Sequence, residues 1–240
     1  MRRLINTAVA ILIGFANNTL ANSADDFSTG LLAQTSDNCE EAIAFFSKAI
    51  KQQPKYVDAF LARGNCYVTV EDTDLAIDDF SMAIKLDPYS AIAFARRGNS
   101  YFLKNDMEKA LDDLNRALEI DPKSASTYLI RGSLFSSKHQ YNLALSDYSS
   151  SISLDPQNYS TLAQRGSTFL TVGSIEDAIT DLTASISLNP EFKLAYLNRG
   201  IAYEKKGELD KASSDYQKIM LLDPNYNDVR QRLNRLGINP

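Results

Sequence analysis

Residues 91–124 read AIAFARRGNSYFLKNDMEKALDDLNRALEIDPKS, and the fold is decided there. Phe94, Arg97, Gly98 and Tyr101 recur at helical spacing in the first half. Ala110, Leu111, Leu114, Ala117 and Leu118 follow at i, i+1, i+4, i+7 and i+8, an amphipathic helical stripe. Lys104-Asn105-Asp106 makes a turn between the two helices. Asp121-Pro122 ends the second, since Pro disfavours the α region at the residue before it. The same features return every 34 residues: Pro54, Pro88, Pro122, Pro156, Pro190 and Pro224; Gly30, Gly64, Gly98, Gly132, Gly166 and Gly200; Ala42, Ala76, Ala110, Ala144, Ala178 and Ala212. Gly inside a helix costs up to about 1 kcal/mol, so its recurrence marks a place where two helices must approach closely.

Six units run 23–56, 57–90, 91–124, 125–158, 159–192 and 193–226, and a capping helix over 227–237 closes the chain. In that helix Val229, Leu233 and Leu236 share one face, Arg230, Arg232 and Arg235 cover the rest, and Gly237 can stop it. Ahead of the units, Met1-Arg2-Arg3 is a short basic stretch, and Leu4 to Ala16 is apolar apart from Asn6 and Thr7. Small residues then allow a cut after Ala21 or Ser23. Residues 1–23 thus have the layout of a secretory signal peptide, which leaves 24–240 as the repeat domain and places the protein outside the cytoplasm, in a periplasm or secreted. The apolar stretch is shorter than the roughly 20 residues of a membrane span, so no stable membrane anchor is expected after cleavage.

Among 240 residues there are 25 basic and 30 acidic side chains, one His and two Cys. The net charge of −5 speaks against nucleic acid as a partner, because phosphate neutralisation needs clustered Lys and Arg. Too few His and Cys are present for the usual zinc site or a nucleophile–His pair. No metal, no cofactor and no enzymatic activity are therefore expected.

The units resemble the tetratricopeptide repeat. That family carries an aromatic at position four, Gly at eight, Tyr at eleven, Ala at twenty and twenty-seven, an aromatic at twenty-four and Pro at thirty-two. Here Tyr67, Tyr101, Phe135, Phe169 and Tyr203 stand at eleven, and Phe46, Phe80, Leu114, Tyr148, Leu182 and Tyr216 at twenty-four. Ser151, Ser185 and Ile219 depart from Ala at twenty-seven. Asp26 and Ala33 replace the aromatics of the first unit, which reads as an N-terminal cap with a polar outer face. The resemblance spans residues 23–226 and implies an all-α, right-handed superhelical solenoid of six helix–turn–helix units plus a C-terminal capping helix, in one continuous domain.

Position seven is Arg63, Arg97, Arg131, Arg165 and Arg199. Position twenty-three is Asp79, Asp113, Asp147, Asp181 and Asp215. The first unit, with Thr29 and Phe45, lacks both members. Arg and Asp that come and go together read as pairs between the two helices of a unit; an arginine ladder gripping ligand carboxylates is the alternative. The resemblance also implies that helix A lines a concave groove. Leu61, Ala95, Leu129, Ala163 and Leu197 stand at position five, Asn65, Asn99, Ser133 and Ser167 at nine, and Val68, Phe102, Ser136 and Leu170 at twelve. Amides there can bond an extended peptide's backbone, with apolar neighbours as shallow pockets; solvated helix residues are the bland alternative. No unit carries the Lys at position five that the subgroup clamping cytosolic chaperone tails requires, so that role is excluded.

Cys39 and Cys66 fall at positions that the resembled fold brings near each other, and export would favour a disulfide between them; two buried thiols are the alternative. His139 falls in a turn, and Asn158-Tyr159-Ser160 is a glycan acceptor only in a secretory eukaryote. The chain as a whole reads as an exported, non-enzymatic scaffold for a protein or peptide ligand. The alternative is a self-association module of an envelope or secreted complex, acting through its end helix or convex face.

Overall fold

The computed structural model describes residues 22–238. Among these residues only helices and turns occur. In chain order they are α1 (22–35), α2 (Cys39–Gln52), α3 (Val57–Thr69), α4 (Thr73–Leu86), α5 (Ala91–Leu103), α6 (Met107–Ile120), α7 (Ala125–Ser137), α8 (Tyr141–Leu154), α9 (Tyr159–Val172), α10 (Ile175–Leu188), α11 (Lys193–Lys206), α12 (Leu209–Leu222) and α13 (Asn227–Arg235). The stretch read as a signal peptide lies outside the described residues up to position 21.

The chain divides into two compact units, the first ending at Pro122 and the second beginning at Lys123. The first holds α1–α6 and the second α7–α13. Within each unit every helix packs on the next, and successive odd-numbered helices from α3 to α5 and from α7 to α11 also touch. Such neighbour-only packing is the quasi-one-dimensional logic of repeats.

The core repeats with the sequence. Ala42, Ala76, Ala110, Ala144, Ala178 and Ala212 are completely buried, as are Phe46, Leu114, Tyr148, Leu182 and Tyr216. The recurring glycines face these large side chains: a Cβ on Gly64 would lie 2.6 Å from Phe80 Cε1, and one on Gly200 would lie 2.5 Å from Tyr216 Cε1. Helix A therefore meets helix B across the ring itself. The departures at position twenty-seven have their own chemistry. Ser151 and Ser185 are buried and donate to the carbonyls of Ala125 and Tyr159, each at 2.8 Å. Ile219 instead packs against Val229 and Leu233 of α13. In the first repeat Phe27, one place along from Asp26, supplies the missing ring and packs in tilted contact with Phe46 and Tyr56, with ring centres 5.6 and 4.8 Å away. The outer face there is not wholly polar, since Leu32 is 69% exposed.

Caps define the helix starts. Asn38, Asp72 and Asp106 accept from the amides of Glu41, Leu75 and Lys109, and Ser90, Ser124 and Asn158 do the same for α5, α7 and α9. Asn158 of the glycan motif thus has its side-chain oxygen committed to a cap. Just before the even-numbered helices from α2 to α12, one turn residue adopts the left-handed conformation: Asp37, Glu71, Asn105, His139, Gly173 and Gly207. Glu71, at φ 63°, is the costliest of these, since a long L side chain gains nothing from the left-handed region. Glu71→Gly is expected to raise stability by about 0.5–1 kcal/mol, measured as a shift in the urea midpoint.

Candidate binding face

Each ladder arginine lies on an odd-numbered helix, three residues after one aromatic position and four before another. The Arg63 guanidinium lies 5.8 and 5.7 Å from the ring centres of Phe60 and Tyr67, and Arg97 lies 5.8 and 5.9 Å from Phe94 and Tyr101. Each fork then donates two bonds to one carboxylate. Arg63 reaches Asp79 at 2.8 and 2.7 Å, Arg97 reaches Asp113 at 2.7 and 2.9 Å, and Arg131 reaches Asp147 at 2.7 and 2.8 Å. Arg165 and Arg199 hold Asp181 and Asp215 in the same way. Hydrogen bonding to the carboxylate holds Arg63, Arg97, Arg131 and Arg165 above the ordinary arginine value. With both forks filled and the Asp side chains buried, these arginines have little left for a ligand.

The third guanidinium bond has no counterpart in the sequence reading. Arg63 Nη1 donates to Ser47, Arg97 to Ser81, Arg165 to Ser149 and Arg199 to Thr183, at 2.9–3.1 Å. Each acceptor sits on the even-numbered helix of the preceding repeat, so the ladder ties a repeat to its neighbour as well as to itself. The signal was a hydroxyl at position twenty-five of the first, second, fourth and fifth repeats, where the third and sixth have Asn115 and Gln217.

Of the residues assigned to the groove, Leu61, Asn65, Val68, Asn99 and Phe102 of the first unit are half-buried, as are Leu129, Ser133, Ser136, Ser167 and Leu197 of the second. Three others leave the candidate face. Ala95, Ala163 and Leu170 are 8%, 2% and 7% exposed, and the last two belong to the core that Ala195 and Ala202 of α11 complete. Ala163 and Leu170 are thus covered by the repeat that follows them. Helix α5 contributes a residue the sequence reading passed over. Arg96 stands at position six, where the other units have Ser28, Ala62, Ile130, Gln164 and Asn198, none of them charged.

Cys39 on α2 and Cys66 on α3 are both buried, and their sulfurs meet at 3.0 Å as a thiol pair, the Cys39 thiol donating to Cys66. Burial, then the hydrogen bond and the nearness of Cys39, push the Cys66 thiol up to about 12. A group so poor in thiolate is unreactive. Ellman's reagent is expected to modify Cys66 in the folded protein on the order of tenfold or more slower than in urea. Among the described residues no group of three or more His, Cys, Asp and Glu is placed to hold a metal ion, and no helix is long and apolar enough to cross a membrane.

Residues 12–238 match the family model of the ETO1 C-terminal domain, a domain of tetratricopeptide-repeat type. The chain belongs to this family. The match to the ETO1 C-terminal domain begins within the apolar stretch read as a leader. Curated protein sequences give no significant match. Many solved structures share the fold. YrrB, described as a TPR protein with an unusual peptide-binding site, is 22% identical with a TM-score of 0.63, over 79% of this chain and 97% of YrrB. PilW, a widely conserved type IV pilus biogenesis factor, is 19% identical at 0.80, over 88% of this chain and 98% of its own. PilF of Pseudomonas aeruginosa is 16% identical at 0.79, over 91% and 99%. At these identities the likeness is one of fold. Domains of tetratricopeptide-repeat type are in general protein–protein interaction scaffolds, and such scaffolds are generally non-enzymatic.

Proposed function

We propose that the protein is an exported, non-enzymatic scaffold that holds an extended peptide or protein segment along its odd-numbered helices. The observation that carries this reading is a half-open set of side chains on the odd-numbered helices of each unit: Asn65 and Asn99 beside Leu61 and Phe102 in the first, and Ser133 and Ser167 beside Leu129 and Leu197 in the second. Amides and hydroxyls spaced by the repeat match an extended backbone's donors and acceptors, and the apolar neighbours take its side chains. Such a face is largely preformed, so the ligand bears most of the ordering cost. The likeness to YrrB, with its peptide-binding site, supports a peptide as ligand.

Affinity capture from the native extracytoplasmic fraction tests this reading, with residues 22–240 as bait beside the folded variant Asn65→Ala/Asn99→Ala/Leu129→Glu. A partner taken by the wild type and lost by the variant supports it; equal capture by both sinks it.

Export rests on the leader-like layout of residues 1–23. Ser23 supports a cut after Ala21: it is fully buried and donates to Gln53 Oε1 at 3.1 Å, a contact that a cut after Ser23 would remove. An oxidising compartment would also act on the thiol pair. Refolding with glutathione disulfide is expected to join the two sulfurs. The thiols give up two protons and two electrons, two reduced glutathiones leave, and the protein mass falls by about 2 Da. Self-association is the second reading, favoured by Leu32 on α1 and Leu221 on α12, 69% and 79% exposed. It predicts a mass by light scattering that rises with concentration.

A further inference from the structure

We infer that residues 5–18, which lie outside the described residues, dock on the outer face of α1 as one more second helix of the repeat series, so that the uncut chain supplies its own N-terminal cap. This is independent of the peptide reading.

The face of α1 breaks the pattern of the other repeats. Position ten is Cys66, Ser100, Leu134, Thr168 and Ala202, all 3% exposed or less, whereas Leu32 at that position of the first repeat is 69% exposed. Cys66 shares its core with Cys39, Ala42 and Phe46 of α2, and Ala202 shares one with Ala178 and Leu182 of α10. In both cases the cover comes from the even-numbered helix of the preceding repeat, at positions seventeen, twenty and twenty-four. Among the described residues no helix precedes α1, so Leu32 is an apolar contact without its partner.

The step of 34 names that partner. Carried back from Cys39, Ala42 and Phe46, it falls on Ile5, Ala8 and Leu12. Ala8 thus stands where all six repeats have a completely buried Ala, and Leu12 where they have a buried Phe, Leu or Tyr. Val9 stands where the first five repeats have Ile or Leu. The polar residues keep the same register. Asn6, Thr7 and Asn17 fall at positions eighteen, nineteen and twenty-nine, which are exposed in all six repeats. A leader needs only an apolar core, whereas this stretch is amphipathic in phase with the helices that follow. The match to the ETO1 C-terminal domain begins at Leu12, so it takes in the later part of the same stretch. The contact belongs to the Leu32 end of the face, because position three is Asp25 where Ala59, Ala93 and Ala195 are fully buried. A cut after Ala21 would remove this cap and leave Leu32 open, the state that favours self-association.

Hydrogen exchange read by mass spectrometry tests this, on the full chain made by cell-free synthesis without membranes and checked by its intact mass. Amides of α1 should exchange about tenfold slower in the full chain than in residues 22–240, the factor expected from covering one leucine side chain. Leu12→Asp should bring them to the rate of residues 22–240. Ala10→Asp should leave them slow, because position twenty-two is exposed in all six repeats. Equal α1 exchange in the full chain and in residues 22–240, or equal effects of the two substitutions, overturns the proposal. Slowing that grows with protein concentration assigns the face to a second copy and also overturns it.

Discussion

Asp113→Ala lowers the stability of the protein by about 3 kcal/mol, the largest loss expected from removing a single polar group. Asp113 is 6% exposed and accepts two bonds from Arg97, 2.7 and 2.9 Å long. Deleting the carboxylate leaves a guanidinium between two rings and Ser81, with no counter-ion and no room to swing into water without giving up its packing on Phe94 and Tyr101. The cost is that of an uncompensated charge rather than the net worth of the pair. Arg97→Met/Asp113→Leu should therefore cost clearly less than Asp113→Ala alone, since a well-packed apolar pair often replaces a buried ion pair at little loss. Urea denaturation followed by circular dichroism reads both variants. A double variant as unstable as the single would mean that the pair contributes mainly attraction.

Gly64→Val is the second large effect, a loss of about 3 kcal/mol. Its first added carbon would stand 2.6 Å from Phe80 Cε1 and 3.0 Å from Cδ1, with Phe80 itself only 1% exposed. The ring has no empty space to enter, so α3 and α4 must part. Gly98→Ala should be milder, because the nearest atom there is Leu114 Cγ at 3.0 Å and an alanine also improves helix propensity. Phe80→Leu placed in a Gly64→Ala background should recover part of the loss by removing the ring edge. The same urea midpoints decide it.

The ease of reading this fold from its sequence follows from the same contacts. Gly and the large residue sixteen places later are two halves of one steric fit, so both recur and both are visible. Arg and Asp, also sixteen apart, are visible because charge of both signs appears and disappears together. Ser47, Ser81, Ser149 and Thr183 escaped because a hydroxyl on an exposed helix face needs no explanation until a guanidinium is seen bonded to it. The left-handed turns at Glu71 and His139 escaped for the opposite reason: the geometry is constant, but only Gly173 and Gly207 announce it. For the binding face, the positions were legible and the exposure was not. Whether a side chain at position five or twelve meets solvent depends on the next repeat, as Ala163 and Leu170 demonstrate against Ala195 and Ala202. Arg96 went unremarked because the ladder drew attention to its neighbour Arg97.

The central claim is that partners lie on the odd-numbered helices, and site-specific photocrosslinking tests it most directly. A benzophenone amino acid would replace Val68 or Phe102 on α3 and α5, and Asp112 or Ser146 on α6 and α8. The account predicts crosslinks to another protein from Val68 and Phe102 and none from Asp112 or Ser146. Crosslinks from Asp112 and Ser146 alone would contradict it and move binding to the even-numbered helices.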